Sequence, residues 1–181
     1  ARRPPLVRVP VLRPVLVPAP RCGYSYLAFA HGASRLLVTS LHPPPLPATT
    51  FRHVFSCAAR VLLHQAAIGP RPEQRTMHVS ARDDSSSLLP ISSVQTAMFP
   101  GTGEIATTEV RVGPLEEFVK PDELSSPAML KLDVQGFEYE ALIGCESMLP
   151  HFDWVYCECS FVEFYSGQKL AADVIEWLAA R

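Results

Sequence analysis

Ala128-Met-Leu-Lys-Leu-Asp-Val134, then Gln135-Gly136, then Phe137-Glu-Tyr-Glu-Ala-Leu-Ile-Gly144, is the stretch that decides the fold of this chain. The opening run has strand length and is apolar except at Lys131 and Asp133. Gln135-Gly136 is turn chemistry, and from Phe137 to Leu149 the apolar residues recur at helical spacing. Pro150 is expected to stop that helix. Beyond it, Trp154-Val-Tyr-Cys-Glu-Cys-Ser160 is rich in strand formers, and Leu170, Val174, Ile175, Trp177 and Leu178 return to helical spacing up to Ala180.

On the amino-terminal side, Arg60-Val-Leu-Leu-His-Gln-Ala-Ala-Ile68 reads as one buried strand closed by Gly69-Pro70. Thr76-Met-His-Val-Ser80 alternates as a half-exposed strand, and its place predicts a hairpin with the first. Residues 81–108 mix serine, aspartate, glycine and proline, which predicts a long loop with one short helix near Val94 to Met98. Thr108 to Val112 alternates again as a strand, Pro114 to Val119 reads as a brief helix, and Pro121 and Pro127 bracket a linker. Strands alternating with helices, the strands nearly continuously apolar, predict an α/β fold with a parallel sheet covered by helices. Such sheets hold ligands beyond the carboxyl ends of their strands, which draws attention to Gln65, Asp133 and Glu158.

Composition divides the chain in two. Glu73 is the first acidic residue, so all 18 carboxylates follow a stretch with arginines and no lysine. Prolines crowd the same stretch, as Pro4-Pro5 and Pro43-Pro44-Pro45, and exclude helix interiors and central strands there. Residues 1–58 are therefore expected to be loosely ordered and 59–181 to form the α/β domain. Pro10, Arg13, Pro14 and Pro18 interrupt the only candidate for the roughly 18 to 20 apolar residues that cross a bilayer, so no membrane partner is expected. A transit peptide would be amphipathic and serine-rich, and residues 1–20 contain no serine. Nucleic-acid binding would need a clustered basic face with stacking aromatics, whereas these arginines are dispersed among prolines. The cysteines, 5 in number, lack paired spacing, and a reducing, cytoplasmic compartment is expected. Cys157 and Cys159 share one strand face, where two thiols would serve as metal ligands or as small core residues; the core reading is favoured and no metal is expected.

The string Leu130-Lys-Leu-Asp-Val-Gln-Gly-Phe-Glu138, with Ala141-Leu142 and Gly144 behind it, resembles the FkbM methyltransferase signature. Gln65-Ala-Ala-Ile-Gly69, Val79 to Leu89 and Trp154 to Phe161 follow that family's order as well. The resemblance implies a Rossmann-like class I methyltransferase sheet with helices on both faces, S-adenosylmethionine (SAM) as cofactor, and methylation of a hydroxyl on a small molecule or glycan. It implies Asp133 at the turn facing the transferred methyl group, with Gln135 and Glu138 beside it as catalytic candidates. Asp133 and Glu138 also suit a helix amino terminus with no ligand present. Gln65 and Ala66 match the place where the family's chain passes the adenine, and are equally a plain strand end. Ser86, with Ser85 and Ser87, either lines the pocket or forms a solvated turn.

Two expected cofactor handles depart from the pattern. The glycine-rich turn after the first strand lets backbone approach the methionine end of SAM, and here Val17-Pro-Ala-Pro-Arg-Cys-Gly-Tyr-Ser25 stands in its place. The acidic residue for the ribose is replaced by His42 in Ser40-Leu-His-Pro43, which removes a hydroxyl acceptor worth on the order of a few kcal/mol. The resemblance also implies strands beyond the last helix, so the fold is expected to be incomplete at both ends, through divergence or a frameshift near the start. Two functions follow as expectations: a SAM-dependent methyltransferase, or a non-catalytic remnant that keeps the core and does not bind SAM.

Overall fold

The computed structural model describes residues 26–31, 35–40, 61–124 and 126–181. The decisive stretch folds as β7 (Ala128–Asp133), a turn, and α2 (Glu138–Gly144). In β7 the burial alternates, with Ala128, Leu130 and Leu132 inside. Those side chains meet Ala141, Leu142 and Cys145 of the helix segment, and α3 (Ala171–Ala179) adds Val174 and Trp177 to the same core. Leu130 and Leu132 have no exposed surface, and burying each contributes about 1.5–3 kcal/mol.

Two open sheets result. The larger has the order β3-β2-β1-β7-β8, from β1 (Tyr26–His31), β2 (Arg35–Ser40), β3 (Val61–His64), β7 and β8 (Trp154–Cys157). The smaller has the order β4-β6-β5, from β4 (Ala67–Ile68), β5 (Glu73–Ser80) and β6 (Glu104–Gly113). α1 (Ser93–Met98) lies in the connection between β5 and β6. The architecture is mixed α/β, an incomplete Rossmann-like arrangement. β7 and β8 run parallel, as do β2 with β3 and β4 with β6. The expected parallel sheet is interrupted at β1, which runs antiparallel to both β2 and β7 and sets Tyr26 opposite Asp133. β1 and β2 come from the stretch 1–58, and they hydrogen-bond to β7 and β3 of 59–181.

Several expected elements change in detail. The run from Arg60 to Ile68 is two strands rather than one, because the chain leaves the larger sheet at the exposed Gln65 and enters the smaller one at Ala67. The expected hairpin does not form. β6 lies between the two segments, since its 10 residues give β5 a full-length antiparallel partner while β4 has only 2. β6 starts at Glu104 rather than Thr108, carried by pairing to His78 and Val79 instead of by apolar alternation. The expected long helix stops at Gly144, and a 3-10 turn over Glu146–His151 accommodates Pro150 within it. At Gly144 a Cβ would stand 2.5 Å from Gly69 O, so the helix packs directly on the turn after β4.

Candidate functional site

The site is built around the turn that joins β7 to α2. Gln135 has φ 50 and Gly136 φ 94, left-handed conformations that glycine adopts freely and glutamine does not. A Cβ on Gly136 would also stand 2.8 Å from Tyr165 Cδ2. Glu138 secures the turn from within, its Oε1 accepting the N–H groups of Val134 and Gly136, both at 3.2 Å. Gln135 is pinned from two directions. Ser87 Oγ donates to its carbonyl at 2.7 Å, and Tyr165 O–H lies 3.1 Å from its Oε1 and 3.1 Å from Ser85 O, sharing one proton between them.

That pinning orients Asp133. Gln135 Nε2 donates to Asp133 Oδ1 at 2.9 Å, and Lys131 Nζ donates to Oδ2 at 2.9 Å. Glu158 comes alongside from the neighbouring parallel strand, its N–H bonded to Leu132 O at 3.1 Å. Burial of its carboxyl, the charge of Asp133 and a hydrogen bond to Asp133 raise the Glu158 pKa, while Lys131 lowers it. Glu138 is pushed up to about 7, first by burial and also by the charge of Asp133, against the backbone N–H groups that favour its ionised form. The edge of the larger sheet thus carries three neighbouring carboxyls, two of which hold their protons more tightly than a free carboxylate does.

These carboxyls face a cleft of about 400 Å³ whose other walls include Arg82, Ser85, Gln95, Phe99, Phe164 and Tyr165. Two loops close it and are tied together by main-chain bonds, Ser92 N to Phe164 O at 3.0 Å and Ser166 N to Pro90 O at 2.9 Å. Gln168 Oε1 accepts from Phe164 N at 3.0 Å and Tyr165 N at 3.3 Å, which shapes the second loop. Burial raises the Tyr165 pKa, and the surrounding carboxylates add to the effect, so its hydroxyl keeps its proton and acts as a donor.

Of the residues singled out in the sequence, Asp133, Gln135, Glu138 and Glu158 meet in the cleft. Gln65 and Ala66 are not among its lining residues: Gln65 is exposed between β3 and β4, and Ala66 is buried in the core. Ser86 is also not among them; it is buried, with Oγ accepting Ser80 N–H at 3.1 Å, while its neighbour Ser85 lines the cleft. His42 and the stretch 17–25 lie outside the described residues. Gln95, Phe99, Phe164, Tyr165 and Gln168 went unnoticed in the sequence. Gly167, at φ 84, marks a turn beside Tyr165, but a turn carries no sign of which distant segment it will meet. Cys157 and Cys159 bring their sulfurs to 3.8 Å, with burial raising both thiol pKa values. Among the described residues, no cluster of three or more His, Cys, Asp or Glu side chains is arranged to hold a metal, and no helix is long and apolar enough to cross a membrane.

Comparison with known proteins yields one family. The model of the methyltransferase FkbM domain matches residues 23–181. No curated protein and no solved structure matches the chain.

Proposed function

The chain belongs to the FkbM methyltransferase family, and on that premise we propose that it transfers the methyl group of SAM to a hydroxyl of a small molecule or glycan held in the cleft beside Asp133. The observation that carries this reading is the Asp133 carboxylate at the strand terminus, fixed on one oxygen by Gln135 and on the other by Lys131, and open to the cleft.

SAM supplies an electrophilic methyl group on a positively charged sulfur. The carboxyls of Asp133, Glu138 and Glu158 along one side of the cleft fit that charge. The positions expected to hold the methionine and ribose ends, 17–25 and His42, fall outside the described residues, so the fit rests on the reacting end alone. Asp133 accepts the proton of the acceptor hydroxyl as the oxygen becomes a nucleophile. Lys131 and Gln135 keep its lone pairs in place, which makes the base pre-positioned rather than mobile. Glu158, hydrogen-bonded to Asp133, passes that proton toward solvent, since it is the more exposed member of the pair.

A second reading, a fold that no longer holds SAM, is favoured by β1, a strand that follows the stretch 17–25 directly and stands antiparallel between β2 and β7, where the resemblance implies a parallel sheet. Calorimetric titration with SAM separates the two. Micromolar binding that tightens with His42→Glu supports the enzyme, with acceptor screening and an Asp133→Ala variant to follow. A folded protein that gives no heat up to millimolar SAM overturns the methyltransferase reading for this chain.

A further inference from the structure

Cys157 and Cys159 stand one residue to either side of Glu158, and their sulfurs touch at 3.8 Å. Their places differ. Cys159 lines the cleft beside Glu158, whereas Cys157 is not among the lining residues and closes β8, where the ladder to β7 ends opposite Leu132. Glu158 keeps one further main-chain bond, from its N–H to Leu132 O at 3.1 Å, and Cys159 lies beyond it. The pair therefore joins an anchored thiol to one at the cleft wall. Cys145, by contrast, is fully buried in the core.

Burial raises both thiol pKa values, and the contact between the sulfurs then acts in opposite directions. A hydrogen bond from Cys157 lowers Cys159, and the same contact raises Cys157. Cys159 is thus the sulfur able to attack, and Cys157 the one to resolve. Glu138 opposes ionisation of both thiols, and Glu158 that of Cys159. The reduced form is therefore not stabilised as a thiolate, which favours the disulfide at equilibrium while slowing its formation.

We infer that Cys157 and Cys159 form a reversible dithiol–disulfide site at the cleft wall, oxidised by a low-molecular-weight disulfide with Cys159 attacking and Cys157 resolving, and that the closed bond displaces Glu158. Asp133, Glu138 and Glu158 on the cleft favour an oxidant that carries amines. Cys159 Sγ loses its proton and bonds to one sulfur of the oxidant, whose other sulfur leaves and takes up a proton as a thiol. Cys157 Sγ then loses its proton and bonds to Cys159 Sγ, and the second half of the oxidant leaves as a thiol. Two protein thiols are oxidised and one disulfide is reduced. Bringing the sulfurs from 3.8 Å to a bond of about 2.05 Å draws in a backbone whose positions i and i+2 lie roughly 6–7 Å apart, the upper end of what a disulfide spans. Glu158 is the residue between, so its N–H bond to Leu132 O and its carboxyl bond to Asp133 give way. As control of methyl transfer the site rests on the methyltransferase reading; the disulfide itself does not.

The full chain is incubated for hours with cystamine and cysteamine at graded ratios, quenched in acid, alkylated and mapped by mass. A bond between Cys157 and Cys159 that forms and reverses with the ratio is expected; a pair that stays reduced at every ratio overturns the proposal. The parent chain alone decides this. The order of attack is read from two variants. Cys157→Ser lacks the resolving thiol and should hold cysteamine on Cys159 at about ten times the level found on Cys157 in Cys159→Ser, and equal or reversed levels overturn the roles of the two sulfurs. In a carbon-13 carboxyl titration the Glu158 midpoint should lie lower in the oxidised parent than in the reduced one, because the carboxyl has left Asp133. A midpoint that is the same in both forms shows a disulfide that displaces nothing, and overturns the control of Glu158. SAM calorimetry on the reduced chain keeps the two ideas apart: a disulfide without SAM heat leaves the redox site and removes the enzyme, and SAM heat without a disulfide does the reverse.

Discussion

Gln135 donates from Nε2 to Asp133 Oδ1 at 2.9 Å while its own Oε1 lies 3.1 Å from the Tyr165 hydroxyl. A glutamine in a left-handed turn conformation thereby relays the position of a tyrosine 30 residues away to the carboxylate at the end of β7. The turn is strained at Gln135, and bonds from Ser87, Tyr165 and Glu138 to the turn hold it there.

Tyr165→Phe removes the hydroxyl that serves both Gln135 and Ser85 O. We expect a loss of about 0.5–1.5 kcal/mol in urea unfolding, with the ring packing retained. Because Asp133 then loses the support behind Gln135, SAM-dependent turnover should fall further than stability alone accounts for once an acceptor is found. An unchanged turnover would place the tyrosine in a purely structural role.

Gly136→Ala and Gly101→Ala form a matched pair. Both glycines have positive φ, 94 and 88, but a Cβ on Gly136 collides with Tyr165 whereas on Gly101 it meets nothing within 4 Å. Thermal unfolding should show about 1–2 kcal/mol lost at Gly101 from backbone conformation, and clearly more at Gly136. Equal losses would mean that the Tyr165 ring yields without cost.

Glu138 makes stability depend on pH. Its pKa rises from 4.5 to about 7 on folding, so the folded chain holds this proton more tightly than the unfolded one. The stability linked to it is complete below about pH 4.5 and is lost as pH climbs through 7. Glu138→Gln cannot ionise, so relative to the parent it should gain on the order of 3 kcal/mol between pH 5 and pH 8, read from urea midpoints. A difference that does not change with pH would show that the carboxyl is ionised throughout.

Asp133 acts on Glu158 through its charge and a hydrogen bond. Asp133→Asn should therefore move the Glu158 midpoint downward in a carbon-13 carboxyl titration. A midpoint that stays in place would separate the two carboxyls and remove the proton relay between them.

Parts of this molecule were legible without coordinates wherever local chemistry and tertiary need coincide. β7, its turn and the start of α2 were readable because an apolar run, a Gln-Gly turn and a helical repeat each specify their own conformation, and α3 was readable from the spacing of Val174 and Trp177. The break at Gln65 and the sheet order were not, since a short apolar run does not say which strand it will pair with. Asp133, Gln135 and Glu138 could be named because they lie within nine residues of one signature, Leu130 to Glu138. Gln95 and Tyr165 could not, because what distinguishes them is the surface they meet.

By itself, the sequence determined an α/β chain with a carboxylate at a strand terminus and a glycine turn after it, for hydropathy and turn preference act between residues close along the chain. Only the tertiary structure decided that Glu158 stands beside Asp133, that Tyr165 supports Gln135 and that Gln95 lines the same cleft. Those relations join segments 25 to 80 residues apart, from Asp133 and Glu158 to Ser85 and Tyr165, and they are set by how sheets and loops pack rather than by any local preference.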